Sequence, residues 1–178
     1  MRAPTIASWT RDLMLRDLPD GTLCFVDANI ICYHIVQTPG LSDECTRFIK
    51  RIEQGTIQAS TSAAVVAEAI HKVMLAEAVQ HHHLEHRGLA HWLQRHRELL
   101  ATLSEHQRVP ALIKALAIHV EAVTLDLLER AADLSRQYYL LTNDAVTIAV
   151  MERLRLSCLV TNDDNFDTVP GLVVWKPR

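Results

Sequence analysis

The sequence predicts an α/β fold built on a parallel sheet with helical crossovers, and three observations predict it. Leu23-Cys24-Phe25-Val26 and Ser157-Cys158-Leu159-Val160-Thr161 are uncharged, mostly apolar runs of strand length, the pattern of strands buried on both faces. Helix-period segments separate the strand-like pieces, so the order after residue 22 is strand, helix, strand, helix, which implies right-handed crossovers. Each of the two runs leads into a carboxylate, Asp27 and Asp163.

A chain of 178 residues, 49% hydrophobic with 5 Gly and 6 Pro, is long enough for one domain with a substantial, helix-rich core. The 4 cysteines form no CxxC pair and lie in apolar segments, as core residues of a reduced, cytoplasmic protein do. No apolar run has the length of a membrane span, and no signal-peptide core is visible at the N-terminus. The net charge of -3 gives no footprint of a bulk DNA binder. It leaves a nucleic-acid enzyme open, because an acidic metal site offsets basic residues in the count.

Residues 1–22 read as an N-terminal extension outside the core, with one short helix around Trp9 to Leu15 and a closing turn, Pro19-Asp20-Gly21. The domain proper spans 23–178. A strand at Leu23–Val26 precedes a helix from about Asn29, which Pro39-Gly40 ends. The next helix takes Ser42 as N-cap, buries Cys45, Phe48, Ile49 and Ile52, and stops at Gly55. A β-prone stretch, Thr56–Ala59, leads to Ser60-Thr61-Ser62, a cap for the helix from Ala63 to about Ala78. A helical insertion at about 80–118 follows, a hairpin broken near Val109-Pro110, with seven of the 10 histidines between residues 81 and 106. Then come a β-prone piece (Val120–Leu125), a helix (Asp126–Gln137), a helix capped by Thr142 (Asn143–Leu154), the strand at 157–161 and a last strand, Leu172–Trp175.

In such sheets, ligands bind beyond the carboxyl ends of the strands, where strand order reverses. Asp27 and Asp163 reach that edge if their strands are neighbours, and Asp144, in the first turn of a helix, leans over it. Two carboxylates ~4 Å apart repel by roughly 4 kcal/mol at an effective dielectric near 20. A hard cation with oxygen ligands removes that penalty; Mg²⁺ or Mn²⁺ suits carboxylates plus water and serves phosphodiester cleavage. The plain alternatives are a strand-end turn for Asp27, a loop for Asp163 and a helix-dipole role for Asp144. Glu68 stays open on spacing alone, since Glu is a common surface helix residue, as Glu77 on the same helix is read to be. Asn29 and Thr161 are close enough in sequence to orient the acids.

These residues also carry a resemblance. Phe25-Val26-Asp27-Ala28-Asn29-Ile30 resembles the opening of a PIN domain, and Leu141-Thr142-Asn143-Asp144-Ala145 resembles that family's Asp-Ala helix. Leu159-Val160-Thr161-Asn162-Asp163 with Phe166 is similar to its last acidic motif. Glu68 then occupies the place of the family's helical Glu. The resemblance implies a three-layer sandwich around a parallel five-stranded sheet. It also implies a Mg²⁺- or Mn²⁺-dependent ribonuclease, with Asp27, Glu68, Asp144 and Asp163 as metal ligands and catalytic residues. It further implies an RNA substrate and, as in VapC-like toxins, a cognate antitoxin protein; a homodimer is also expected. Many relatives carry Asp where this chain has Asn165, so Asp164 or Asp167 is the candidate to assist Asp163.

The remaining features are weaker. His81, His82, His83, His86, His91 and His96 include metal-ligand spacings, but a solvated helix face explains them as simply. Trp92 with Leu89 and Leu93 reads as a buried apolar stripe. Arg47, Lys50 and Arg51 either grip RNA phosphates or form a solvated face. The alternative function is a non-catalytic interaction module in an RNA-processing or regulatory complex, with the histidine-rich insertion as its docking surface.

Overall fold

The computed structural model describes residues 13–82 and 88–178. Leu13–Met14 form a short strand, β1, and Leu23–Val26 form β2, in which Cys24, Phe25 and Val26 are fully buried. The helices α1 (Ala28–Val36) and α2 (Ser42–Glu53) lead to β3 (Gln58–Ser62) and the long α3 (Ala63–His82). The helices α4 (Leu89–Arg95) and α5 (Arg108–Ala115) precede β4 (His119–Glu121). Then follow α6 (Leu125–Tyr138), α7 (Thr142–Leu154), β5 (Cys158–Val160) and β6 (Val173–Lys176).

All strand pairs are parallel, in the order β1-β6-β5-β2-β3-β4. The chain leaves β2 toward β3 and β4, then returns through α6 and α7 to β5 on the other side of β2. Right-handed crossovers in opposite directions lie on opposite faces. Accordingly α1, α3 and α5 pack together on one face and α6 packs on α7 on the other, giving three layers. The core runs through both, from Phe25, Ile30, Phe48 and Val73 to Leu134, Met151 and Leu159.

Several expectations need correction. The described sheet has six strands, not five, because Leu13–Met14 add β1 beside β6. Residues 13–22 are not outside the core: Leu15 and Leu18 are buried in it. The helix expected around Trp9 lies largely outside the described residues. Ser42 and Thr142 are the first helical residues rather than caps; the Ser42 hydroxyl donates to the Tyr33 and Thr38 carbonyls. Ser62 does act as expected, its Oγ accepting from Val65 N at 3.2 Å. Gly55 ends α2 with φ +72°. Val109-Pro110 does not break a hairpin but lies in the first turn of α5, where proline has no intrahelical N–H to lose. The β-prone signals around 56–59 and 120–125 mark strands whose observed limits are shifted, because pairing with neighbours fixes the ends.

The insertion builds a small core of its own, with Leu89, Leu93 and Leu103 packed on Ala78 of α3. Glu77, read from sequence as a surface residue, is 2% exposed and accepts hydrogen bonds from the backbone N–H groups of Ser104 and Glu105, both at 2.9 Å. No helix among the described residues is long and apolar enough to cross a membrane. All 4 cysteines are free.

Candidate active site

Strand order reverses between β2 and β5, which pair directly with Val26 beside Val160. Past that point the ladder continues: Asp27 N–H donates to the Val160 carbonyl at 3.1 Å, and Thr161 N–H donates to the Trp175 carbonyl at 3.1 Å. Asp27 and Thr161 therefore stand side by side at the carboxyl edge.

Asp27 is 8% exposed and heavily hydrogen-bonded. It caps α1, its Oδ1 accepting from Ala28 N–H at 2.7 Å, while Oδ2 accepts from the Asn29 amide and the Thr161 hydroxyl, both at 2.6 Å. The same hydroxyl accepts from the Asn29 amide at 2.8 Å and from Asp163 N–H at 3.1 Å. Asn29 Oδ1 in turn accepts from Asn162 N–H at 3.1 Å. Buried polar groups with every partner supplied hold one geometry. Asn29 and Thr161, expected from sequence to orient the acids, both hydrogen-bond the Asp27 carboxylate.

The other acids arrive from three further segments. Asp144, in the first turn of α7, accepts from the Asn165 amide at 3.3 Å. Asp163, just after β5, accepts Asn165 N–H at 2.9 Å and caps the turn Asp164–Thr168. Glu68 of α3 has both oxygens engaged, Oε1 by Lys72 Nζ at 2.6 Å and Oε2 by the Asn143 amide at 3.1 Å. Asp164 and Asp167 turn elsewhere. Both bind the buried ammonium of Lys176, at 2.6 and 2.5 Å.

The electrostatics tie the four acids together. Burial pushes the Asp27 carboxyl above its ordinary pKa; its hydrogen bonds and the charge of Lys72 act against this, and Glu68 adds to it. Burial also raises Asp144, and the charges of Asp163, Asp27 and Glu68 raise it further, against the Asn165 hydrogen bond. Burial opposes the charge of Lys72, but Glu68 and Asp27 outweigh it and hold the ammonium above its usual value. An all-oxygen donor set of carboxylates at one sheet edge, two of them raised by burial and neighbouring charge, has the chemistry of a hard-cation site. Among the described residues, however, no three His, Cys, Asp or Glu side chains already converge as metal ligands. Lys72 and the amides of Asn143 and Asn165 stand against the carboxylates instead.

Three of these bridging residues were not singled out from sequence. Lys72 had a readable signal, its i+4 spacing from Glu68. Asn143 adjoins Asp144, and Lys176, on the last strand, is visible only once β6 packs beside the Asp164–Thr168 turn. The histidines contribute no ligand group among the described residues, and His83 and His86 lie outside them. Trp92 stacks on His96 with ring centroids 4.0 Å apart, while Leu89 and Leu93 are buried as expected. Arg51 is used structurally, donating to the Leu18 carbonyl and pairing with Asp20.

The PIN domain family model matches residues 24–172. No curated protein matches the chain by sequence. Solved structures with a similar fold include VapC20 of Mycobacterium tuberculosis, a toxin that cleaves the sarcin-ricin loop. It is 17% identical, with a TM-score of 0.56 over 81% of this chain and 92% of that one. VapBC2 of Rickettsia felis, solved bound to a promoter DNA fragment, is 14% identical, with a TM-score of 0.54 over 88% of this chain and 100% of that one. A toxin–antitoxin complex from Klebsiella pneumoniae is 19% identical, with a TM-score of 0.53 over 84% of this chain and 95% of that one.

Proposed function

We propose that this chain, which belongs to the PIN-domain family, is a Mg²⁺- or Mn²⁺-dependent endoribonuclease and the toxin of a toxin–antitoxin pair. The observation that carries the reading is the linkage of the acids at the sheet edge, where Asn165 hydrogen-bonds both Asp144 and Asp163 and the Thr161 hydroxyl joins the Asp27 carboxylate to Asp163 N–H. Asp27, Glu68, Asp144 and Asp163 would hold the cation through carboxylate oxygens. When bound, it neutralises the edge, activates water and stabilises charge on an RNA phosphodiester.

The chain's own residues prepare that edge. Thr161 and Asn29 fix the Asp27 carboxylate before substrate arrives, so no reordering is needed at that ligand. Asn165 links Asp144 to the Asp163 turn, and Asn143 links α7 to Glu68. The unneutralised carboxylates repel the RNA backbone, which makes substrate binding depend on the cation.

The partner in this reading is an antitoxin protein. Support comes from the toxin–antitoxin complexes of similar fold. An apolar groove of about 570 Å³ beside α3, lined by Val66, Ile70, Ile113, Ile118 and Val120, is surface of the kind a partner covers. The test is incubation of the purified protein with labelled RNA in millimolar Mn²⁺ and in EDTA. Cleavage is expected with Mn²⁺, and is expected to be absent in EDTA and in folded Asp27→Asn. Equal cleavage by Asp27→Asn overturns the reading. One observation favours a second reading, a non-catalytic interaction module: no ready-made ligand group exists among the described residues. A folded wild type that cleaves no RNA with Mn²⁺ moves the conclusion there.

A further inference from the structure

Lys72 sits one helical turn beyond Glu68 on α3, and its ammonium contacts Glu68 Oε1 at 2.6 Å. The remaining Glu68 oxygen is held by the neutral amide of Asn143. Lys72 thus brings a positive charge into direct contact with one of the four acids. The others face hydroxyl, amide and backbone N–H donors. Its charge also reaches Asp27 and acts against the burial of that carboxylate. The lysine side chain is 49% exposed and can swing into water without breaking the core.

We propose that Lys72 is a resident counter-cation of the acid edge, stabilising it in the cation-free protein and competing with a divalent cation for Glu68. Both positive groups need the same carboxylate, and like charges cannot share it closely at low cost. Cation binding therefore displaces Lys72 from Glu68, and the lysine sets the cation affinity lower than the carboxylates alone would give. This rests on the metal-dependent reading above. Lys72 is a tuning residue, acting through Glu68 rather than on substrate.

The test compares wild type, Lys72→Met and Lys72→Arg by calorimetric Mn²⁺ titration and by melting in EDTA. Lys72→Met should bind Mn²⁺ about three- to fivefold more tightly, the scale of a half-exposed ion pair. Its melting temperature in EDTA should fall by about 2 °C. Lys72→Arg keeps the charge and should stay close to wild type in both. If wild type binds Mn²⁺ but Lys72→Met binds it equally or more weakly, competition is overturned while the metal reading stands. If wild type binds no Mn²⁺, both fall. An unchanged melting temperature of Lys72→Met in EDTA overturns the counter-cation role whatever the titration shows.

Discussion

Asn165 donates its side-chain amide to Asp144 at 3.3 Å, while its backbone N–H donates to Asp163 at 2.9 Å. One residue therefore connects two acids from separate segments, the first turn of α7 and the end of β5, and it does so as a neutral donor where the family resemblance leads one to expect a carboxylate. Asn165→Asp exchanges an attractive contact for a repulsive one. In EDTA the variant should melt lower than wild type. In Mn²⁺ it should gain more stabilisation, with binding about tenfold tighter, because ligand charge sets affinity for hard cations. Calorimetric titration and thermal melts with and without EDTA check both signs.

Thr161 carries a second test. Its buried hydroxyl donates to Asp27 and accepts from Asn29 and Asp163 N–H. Thr161→Val keeps the volume but leaves these groups without their partner, which costs about 1–3 kcal/mol. Melting should fall by about 2–12 °C. Thr161→Ser retains the hydroxyl and should recover most of the loss in a thermal melt. A valine variant as stable as wild type would show that the network does not constrain Asp27.

Asp144 supplies the pH dependence. Its pKa in the folded protein is raised by burial and by the charges of Asp163, Asp27 and Glu68. The folded state thus holds that proton more tightly than the unfolded chain does. The associated stability is full below the ordinary carboxyl pKa, about 3.9, and is lost as pH rises through the raised folded value. Asp144→Asn cannot lose it, and its side-chain oxygen can still accept from Asn165. In EDTA at pH 7, Asp144→Asn should melt above wild type, and the gap should close toward pH 4. Millimolar Mn²⁺ should reverse the order at pH 7 by stabilising wild type alone. Melting curves across pH with each additive read all three outcomes.

What could be read in the sequence follows what is local. Asp27 and Asp163 were visible because buried parallel strands lack charge, so a carboxylate at the strand end stands out. Asp144 was visible through its place in a helix's first turn. Glu68 needed the family resemblance, because nothing local separates it from a surface glutamate. Lys72 had its i+4 spacing from Glu68 to mark it, whereas Asn143 and Lys176 depend on which side chains the fold brings together across elements. The same limit explains Ser42 and Thr142, whose cap-like residue types sit one position inside their helices. It also explains β1, a two-residue strand with no periodicity to detect.

Glu77 is the clearest case of tertiary context overriding local pattern, and its removal should be felt far from the acid edge. The carboxylate is buried and accepts two backbone N–H groups, Ser104 and Glu105, which fastens the end of the insertion to α3. Glu77→Ala leaves both donors unpaired beside the chain neighbours Ala78 and Leu103, which belong to the insertion's small core. The expected cost is about 3–6 kcal/mol, from two hydrogen bonds to a charged acceptor. Melting should fall by about 6–24 °C. Glu77→Gln retains one acceptor oxygen and should lose about half as much. Because the insertion has its own small core, the loosening should be local: proteolytic cleavage within residues 89–107 should accelerate, while Mn²⁺ binding to the folded protein changes little. If cleavage instead spreads evenly over the chain, Glu77 supports the whole domain, and the insertion is not a separately yielding unit.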